Sequence, residues 1–93
     1  MSPRQVAELI ANGHAYQKHV VQQKEFPEVE SVTAFVVLVQ YVIVSGRKKT
    51  LSGGRVAYWS AVAKTVVIYP VYSPQNGTAF RPKTGEDYFN NLL

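Results

Sequence analysis

The chain has 93 residues, 46% of them hydrophobic, with no cysteine, two histidines and a formal charge of +4. That is enough for one domain, residues 1–93, with a single core. It leaves no room for a second domain, a disulfide framework, a cysteine-based zinc site or a histidine-only metal cluster, so neither metal nor cofactor is expected.

In chain order, Ser2-Pro3 reads as a helix start, with serine capping and proline at the first helical position, and Val6, Leu9 and Ile10 form a short apolar stripe. Asn12-Gly13 interrupts this helix. From His14 the pattern resumes as a second short helix or a kinked continuation, with Tyr16 and Val20 one turn apart and His19 near them. His14 and His19 are separated by about 500° of α-helical rotation, which places them on different faces. The segment Glu25-Phe-Pro-Glu-Val-Glu30 reads as a loop, after which Ser31 or Thr33 offers a cap.

The run Val32 to Val44 is β-branched enough for a strand, yet its length and the Gly46 stop suit a buried helix closed by a glycine cap, and length favours the helix. Its apolar part, Phe35 to Val44, is well short of the roughly 20 residues a spanning helix needs, so no membrane insertion is expected. Residues 45–54 (SGRKKTLSGG) read as a flexible basic connection. Residues 54–82 read as a three-stranded antiparallel meander with runs Arg55 to Ser60, Thr65 to Tyr72 and Thr78 to Arg81. Residues 85–92 suit a short terminal helix with Glu86 and Asp87 in its first turn. The chain is thus mainly helical over 1–46 and mainly β beyond it.

Charge is unevenly spread. Glu8, Glu25, Glu28 and Glu30 precede Ser31, and Glu86 and Asp87 follow Gly85. Between them stand Arg47, Lys48, Lys49, Arg55, Lys64, Arg81 and Lys83 with no carboxylate among them. A half of the molecule with only positive charge suits a polyanion, nucleic acid above all; the plain alternative is a solvated basic face.

The order HAYQKHVVQQKEFP, LSGGRVAYW, TVVIYP, NGTAFRP and GEDYFNNL resembles the C-terminal toxin domains of bacterial polymorphic and contact-dependent inhibition systems. It is most similar to ribonucleases of the colicin D and colicin E5 type, in the superfamily shared by barnase, EndoU and RelE. The resemblance implies an α+β fold, with N-terminal helices packed on a twisted antiparallel β-sheet and a short C-terminal helix. It also implies metal-independent endoribonuclease activity, often on tRNA, in which a 2′-hydroxyl attacks its own phosphate to leave a 2′,3′-cyclic phosphate. An acidic immunity protein is the expected partner, because an acidic surface covers a basic cleft. Delivery as part of a larger secreted parent into a target-cell cytoplasm is the expected setting, or the cytoplasm if the chain stands alone. The N-terminal sequence lacks the apolar run of a signal peptide, so an export signal would lie on that parent.

Such cleavage needs a base, an acid and donors for the charge that builds on phosphate. His19 matches the resembled motif, and the unperturbed imidazole has its pKa near neutrality, which makes it the first candidate. Arg55 and Arg81 offer guanidinium forks for phosphate, and Thr78 offers a hydroxyl beside Gly77. These four are the candidate catalytic residues. His14, Tyr58, Tyr88, Arg47, Lys48 and Lys49 are the candidate substrate contacts, and Trp59, on the other face of its strand from Tyr58, is assigned to packing. A non-catalytic RNA-binding module and a protein-interaction domain remain the alternatives from other classes.

Overall fold

The computed structural model describes residues 1–93 and is α+β, with its elements in the order helices, four strands, short helix. Helix α1 spans Pro3–Ile10. The Ser2 hydroxyl accepts the Gln5 N–H (3.2 Å) and the Gln5 side chain accepts the Ser2 N–H (2.8 Å), so two donors that a helix start leaves free are satisfied. At Asn12-Gly13 a kink divides the helix in two. Gly13 alone leaves helical geometry (φ −75°, ψ −137°), and the segment Ala11–Gln22 continues in a wider winding. At its end the Gln23 N–H reaches back five residues to the Lys18 carbonyl (2.9 Å), one residue further than in an α-helix.

Helix α2, Val32–Ser45, settles the strand-or-helix ambiguity in favour of helix. Ser31 is its cap, accepting the Ala34 N–H at 3.1 Å. Gly46 ends it in an extended conformation (φ −79°, ψ 168°) and not in the left-handed cap expected of a glycine there. Phe35, Val36, Val39, Val42 and Ile43 are buried.

The basic stretch expected as a loop is mostly a strand, so the sheet has four strands and not three. These are β1 (Arg47–Leu51), β2 (Arg55–Ser60), β3 (Thr65–Pro70) and β4 (Thr78–Phe80), all antiparallel in sequence order. Gly53 and Gly54, both left-handed (φ 75° and 72°), reverse the chain between β1 and β2. An edge strand tolerates the run Arg47-Lys48-Lys49, because charged side chains there discourage pairing with other chains. Beyond β3, Val71 and Tyr72 leave the sheet and are exposed.

The two faces of the sheet follow from alternation. Val56, Tyr58, Val67, Tyr69 and Ala79 face the helical layer, where Phe26 and Phe35 are wholly buried and meet edge to face at 5.3 Å. Leu51, Ala57, Trp59, Val66, Ile68 and Phe80 form the opposite face. It is covered by the short helix α3 (Glu86–Asn90) through Phe89 and the following Leu92. Trp59 is therefore a packing residue, on the face away from Tyr58.

Candidate active site

A groove of about 420 Å³ opens where the wide helical segment passes the β4 edge of the sheet. His14, Lys18, His19, Asn76, Thr78, Phe80 and Tyr88 line it. Four residues singled out in the sequence, His19, His14, Thr78 and Tyr88, thus share one site. An α-helical count sets the two imidazoles on different faces; the kink at Gly13 and the wider winding bring both to the same groove.

His19 is buried, and its ring stacks on Phe80 with centroids 5.5 Å apart. Phe80 in turn meets Tyr88 edge to face at 5.1 Å. Nδ1 of His19 lies 2.6 Å from Oε2 of Glu25. An ionised carboxylate only accepts, so Nδ1 carries the proton and Nε2 holds the free lone pair of the neutral ring. Nε2 has no partner within the protein. The only side-chain polar atom that is both sealed from solvent and unpartnered is Trp59 Nε1, so Nε2 keeps access to the groove.

Glu25 reaches His19 because the chain curls back after the helix. Lys24 takes a left-handed conformation (φ 54°), and the Glu25 N–H bonds the His19 carbonyl at 2.9 Å. The second carboxylate oxygen, Oε1, accepts the Arg81 backbone N–H at 3.0 Å, so both oxygens are fixed. Carboxylate, imidazole and free lone pair form the arrangement in which an acidic group orients a general base. Thr78 stands at the start of β4. Gly77 precedes it because a Cβ there would lie 2.5 Å from Cβ of Tyr69 and 2.8 Å from the Ile68 carbonyl oxygen. The close approach expected at Gly77 is thus made by the neighbouring strand.

Several expected contacts lie elsewhere. Arg81 is not free for phosphate. Its side chain forks onto Glu28, bonds the Ala63 carbonyl through Nε (3.0 Å) and the Glu25 carbonyl through Nη1 (3.2 Å), and lies 4.4 Å above the Phe26 ring centroid. The Arg81 guanidinium holds the Glu28 carboxyl below the usual carboxylate range. Arg55 is on β2, outside the groove, with Nε donating to Ser52 O. Tyr58 faces the helical layer beside Tyr69, ring centroids 6.2 Å apart. Burial first and Tyr58 second push the Tyr69 hydroxyl up to about 12.

Arg47 pairs with Glu86 (2.6 Å) and Asn90 (3.0 Å), and Lys49 caps α3 through the Phe89 and Asn90 carbonyls (3.2 and 2.8 Å). Lys48 is exposed on the β1 edge and does not line the groove. The premise that no carboxylate neutralises the basic half is therefore overturned at Arg47 and Arg81, whose partners lie 39 and 53 residues away in sequence.

Three groove residues, Lys18, Asn76 and Phe80, escaped the sequence reading, and so did Glu25, which bonds His19. Glu25 looked like one of three loop carboxylates, and its six-residue spacing from His19 matches no helical face. The available signal was its place in the stretch HAYQKHVVQQKEFP. Lys18 stood in the same stretch without a role.

A larger concavity of about 590 Å³ beside α1, lined by Met1, Gln5, Glu8, Leu9 and Asn12, holds one carboxylate, which pairs with Arg4, and no histidine. No three His, Asp or Glu side chains converge anywhere in the chain as a metal site requires, and no helix is long and apolar enough to cross a membrane. Neither the known family models nor the curated proteins include a match to this chain.

Proposed function

We propose that this chain is a metal-independent endoribonuclease of the toxin type, acting on RNA in the groove between the wide helical segment and β4. The observation that carries the reading is the buried His19, held by Glu25 through Nδ1 with Nε2 unpartnered, in the wall of a groove that also holds a second histidine, a lysine and two hydroxyls. Groups of this kind serve internal transesterification of RNA and need no external nucleophile.

In this mechanism Nε2 of His19 takes the proton of a ribose 2′-hydroxyl. The 2′-oxygen attacks the adjacent phosphorus, the bond from phosphorus to the 5′-oxygen breaks, and His14 in its protonated form gives that oxygen a proton. The products are a 2′,3′-cyclic phosphate and a 5′-hydroxyl. Lys18, the Thr78 hydroxyl and the Tyr88 hydroxyl donate to the non-bridging oxygens as charge builds on them. Glu25 positions His19 and steadies the imidazolium that forms.

The resemblance of the sequence to colicin-type ribonucleases supports RNA as substrate, with tRNA the class to try first. It equally supports an acidic immunity partner and delivery by a larger parent into a target-cell cytoplasm. The test is incubation of the protein with total bacterial RNA in EDTA beside a His19→Ala form, followed on a denaturing gel. Discrete products that carry a cyclic phosphate and vanish with the variant are expected. Uncut RNA with the wild type would sink the proposal.

A further inference from the structure

The basic residues divide into those that hold the fold and those left over. Arg4, Arg47 and Arg81 pair with carboxylates, and Lys49 and Arg55 bond backbone carbonyls. The side chains of Lys18, Lys24, Lys48, Lys64 and Lys83 make no ion pair or hydrogen bond within the chain. Lys18 lines the His19 groove. Lys64 and Lys83 line a second cleft of about 440 Å³ with Trp59, Pro82 and Gly85.

This cleft adjoins the groove along one stretch of chain. Thr78, Phe80 and Tyr88 form a wall of the groove, and Arg81, Pro82, Lys83, Gly85 and Glu86 form a wall of the cleft. Its other charged groups are already engaged, Arg81 with Glu28 and Glu86 with Arg47. Lys64 and Lys83 therefore carry its uncompensated charge. Its lining includes the buried Trp59, whose indole N–H is the one sealed side-chain donor without a partner. Two free ammonium groups in a cleft lined also by Trp59 and Pro82 suit a phosphodiester flanked by nucleosides.

We infer that Lys64 and Lys83 form a second phosphate subsite, holding a phosphodiester of the same single RNA strand whose scissile phosphate lies at His19. The inference rests on the ribonuclease reading for the identity of the strand. Its consequence is that the site recognises a single-stranded stretch longer than one dinucleotide.

The test titrates the protein with a 2′-O-methylated uridine hexanucleotide, which cannot be cut because the attacking hydroxyl is blocked. The chain's single tryptophan, Trp59, is the fluorescent reporter. The variant is Lys64→Asn with Lys83→Gln; asparagine tolerates the left-handed backbone at Lys64 (φ 54°). Affinity is expected to fall about tenfold or more at low salt, as for loss of a charge-assisted contact. The slope of log affinity against log salt should become shallower by about 0.7, the value for one phosphate on a single strand. The matching dinucleotide, with one phosphodiester, should lose less. Lys48→Gln, which removes a free lysine outside both cavities, should also cost less.

Hexanucleotide affinity and salt slope equal to those of the wild type would overturn the subsite, as would an equal loss from Lys48→Gln. The two readings separate cleanly. His19-dependent cleavage together with unchanged hexanucleotide binding by the double variant removes the subsite alone. Lysine-dependent binding without any cleavage removes the ribonuclease alone.

Discussion

Replacing Arg81 by methionine asks whether this arginine is a strut or a phosphate ligand. Methionine keeps an unbranched apolar stem over Phe26 and removes every donor. The bonds to the Ala63 and Glu25 carbonyls, at 3.0 and 3.2 Å, are worth about 1 kcal/mol each. The fork to Glu28 adds under about 1 kcal/mol, because the Glu28 side chain is 54% exposed and solvent screens the pair. The guanidinium over Phe26 contributes roughly 0.5–1 kcal/mol. The sum is about 3 kcal/mol, against a total of roughly 5–14 kcal/mol for a domain of this length. Urea unfolding followed by Trp59 emission should show the midpoint falling with an unchanged slope, and Tm should drop by roughly 12–24 °C. A loss under about 1 kcal/mol, accompanied by a tenfold fall in RNA affinity, would refute the structural role and return Arg81 to the site.

Further outcomes follow from the same contacts. Glu25→Gln should reduce RNA cleavage by about 10²-fold or more while RNA affinity is largely kept, because glutamine cannot stabilise the imidazolium; paired kinetic and binding assays check this. Glu28 is held below its ordinary value by Arg81, so its stabilisation is present above about pH 4.3 and is lost as pH falls through the lowered value. Glu28→Gln should therefore flatten the acid limb of a stability profile measured by urea titration. Tyr69 stays protonated in the fold up to about pH 12, whereas an unfolded tyrosine ionises near 10. Stability should thus decline as pH rises from about 10 to about 12, and Tyr69→Phe should remove that slope. Gly77→Ala places a methyl 2.5 Å from Tyr69 Cβ and should displace β4, lowering both the unfolding midpoint and cleavage.

Much of the fold was legible because its causes are local. The Ser2 and Ser31 caps, the length of Val32–Ser45 and the alternation in Arg55–Ser60 and Thr65–Pro70 each act within a few residues. The strand Arg47–Leu51 was hidden because its composition is that of a basic loop. Only pairing with β2, from Arg47 opposite Trp59 to Leu51 opposite Arg55, supplies the hydrogen bonds that make it a strand. The wide winding that turns His14 and His19 to one groove was equally illegible. Neither the kink at Gly13 nor the wider winding after it leaves a periodic signal in the side chains.

The sequence by itself determined the class of fold and singled out His14, His19, Thr78 and Tyr88, which line one groove, whereas the single core it suggested is two clusters, one on each face of the sheet. The tertiary structure decided which charges remain available. Arg47 and Arg81, the most attractive phosphate ligands by type, are satisfied by Glu86 and Glu28, while Lys18, Lys64 and Lys83 stay free. It also decided that Glu25 serves His19. Charge and residue type are properties of the chain, but partnership depends on distance in space. The reversal at Lys24 and the packing of α3 on the sheet set those distances.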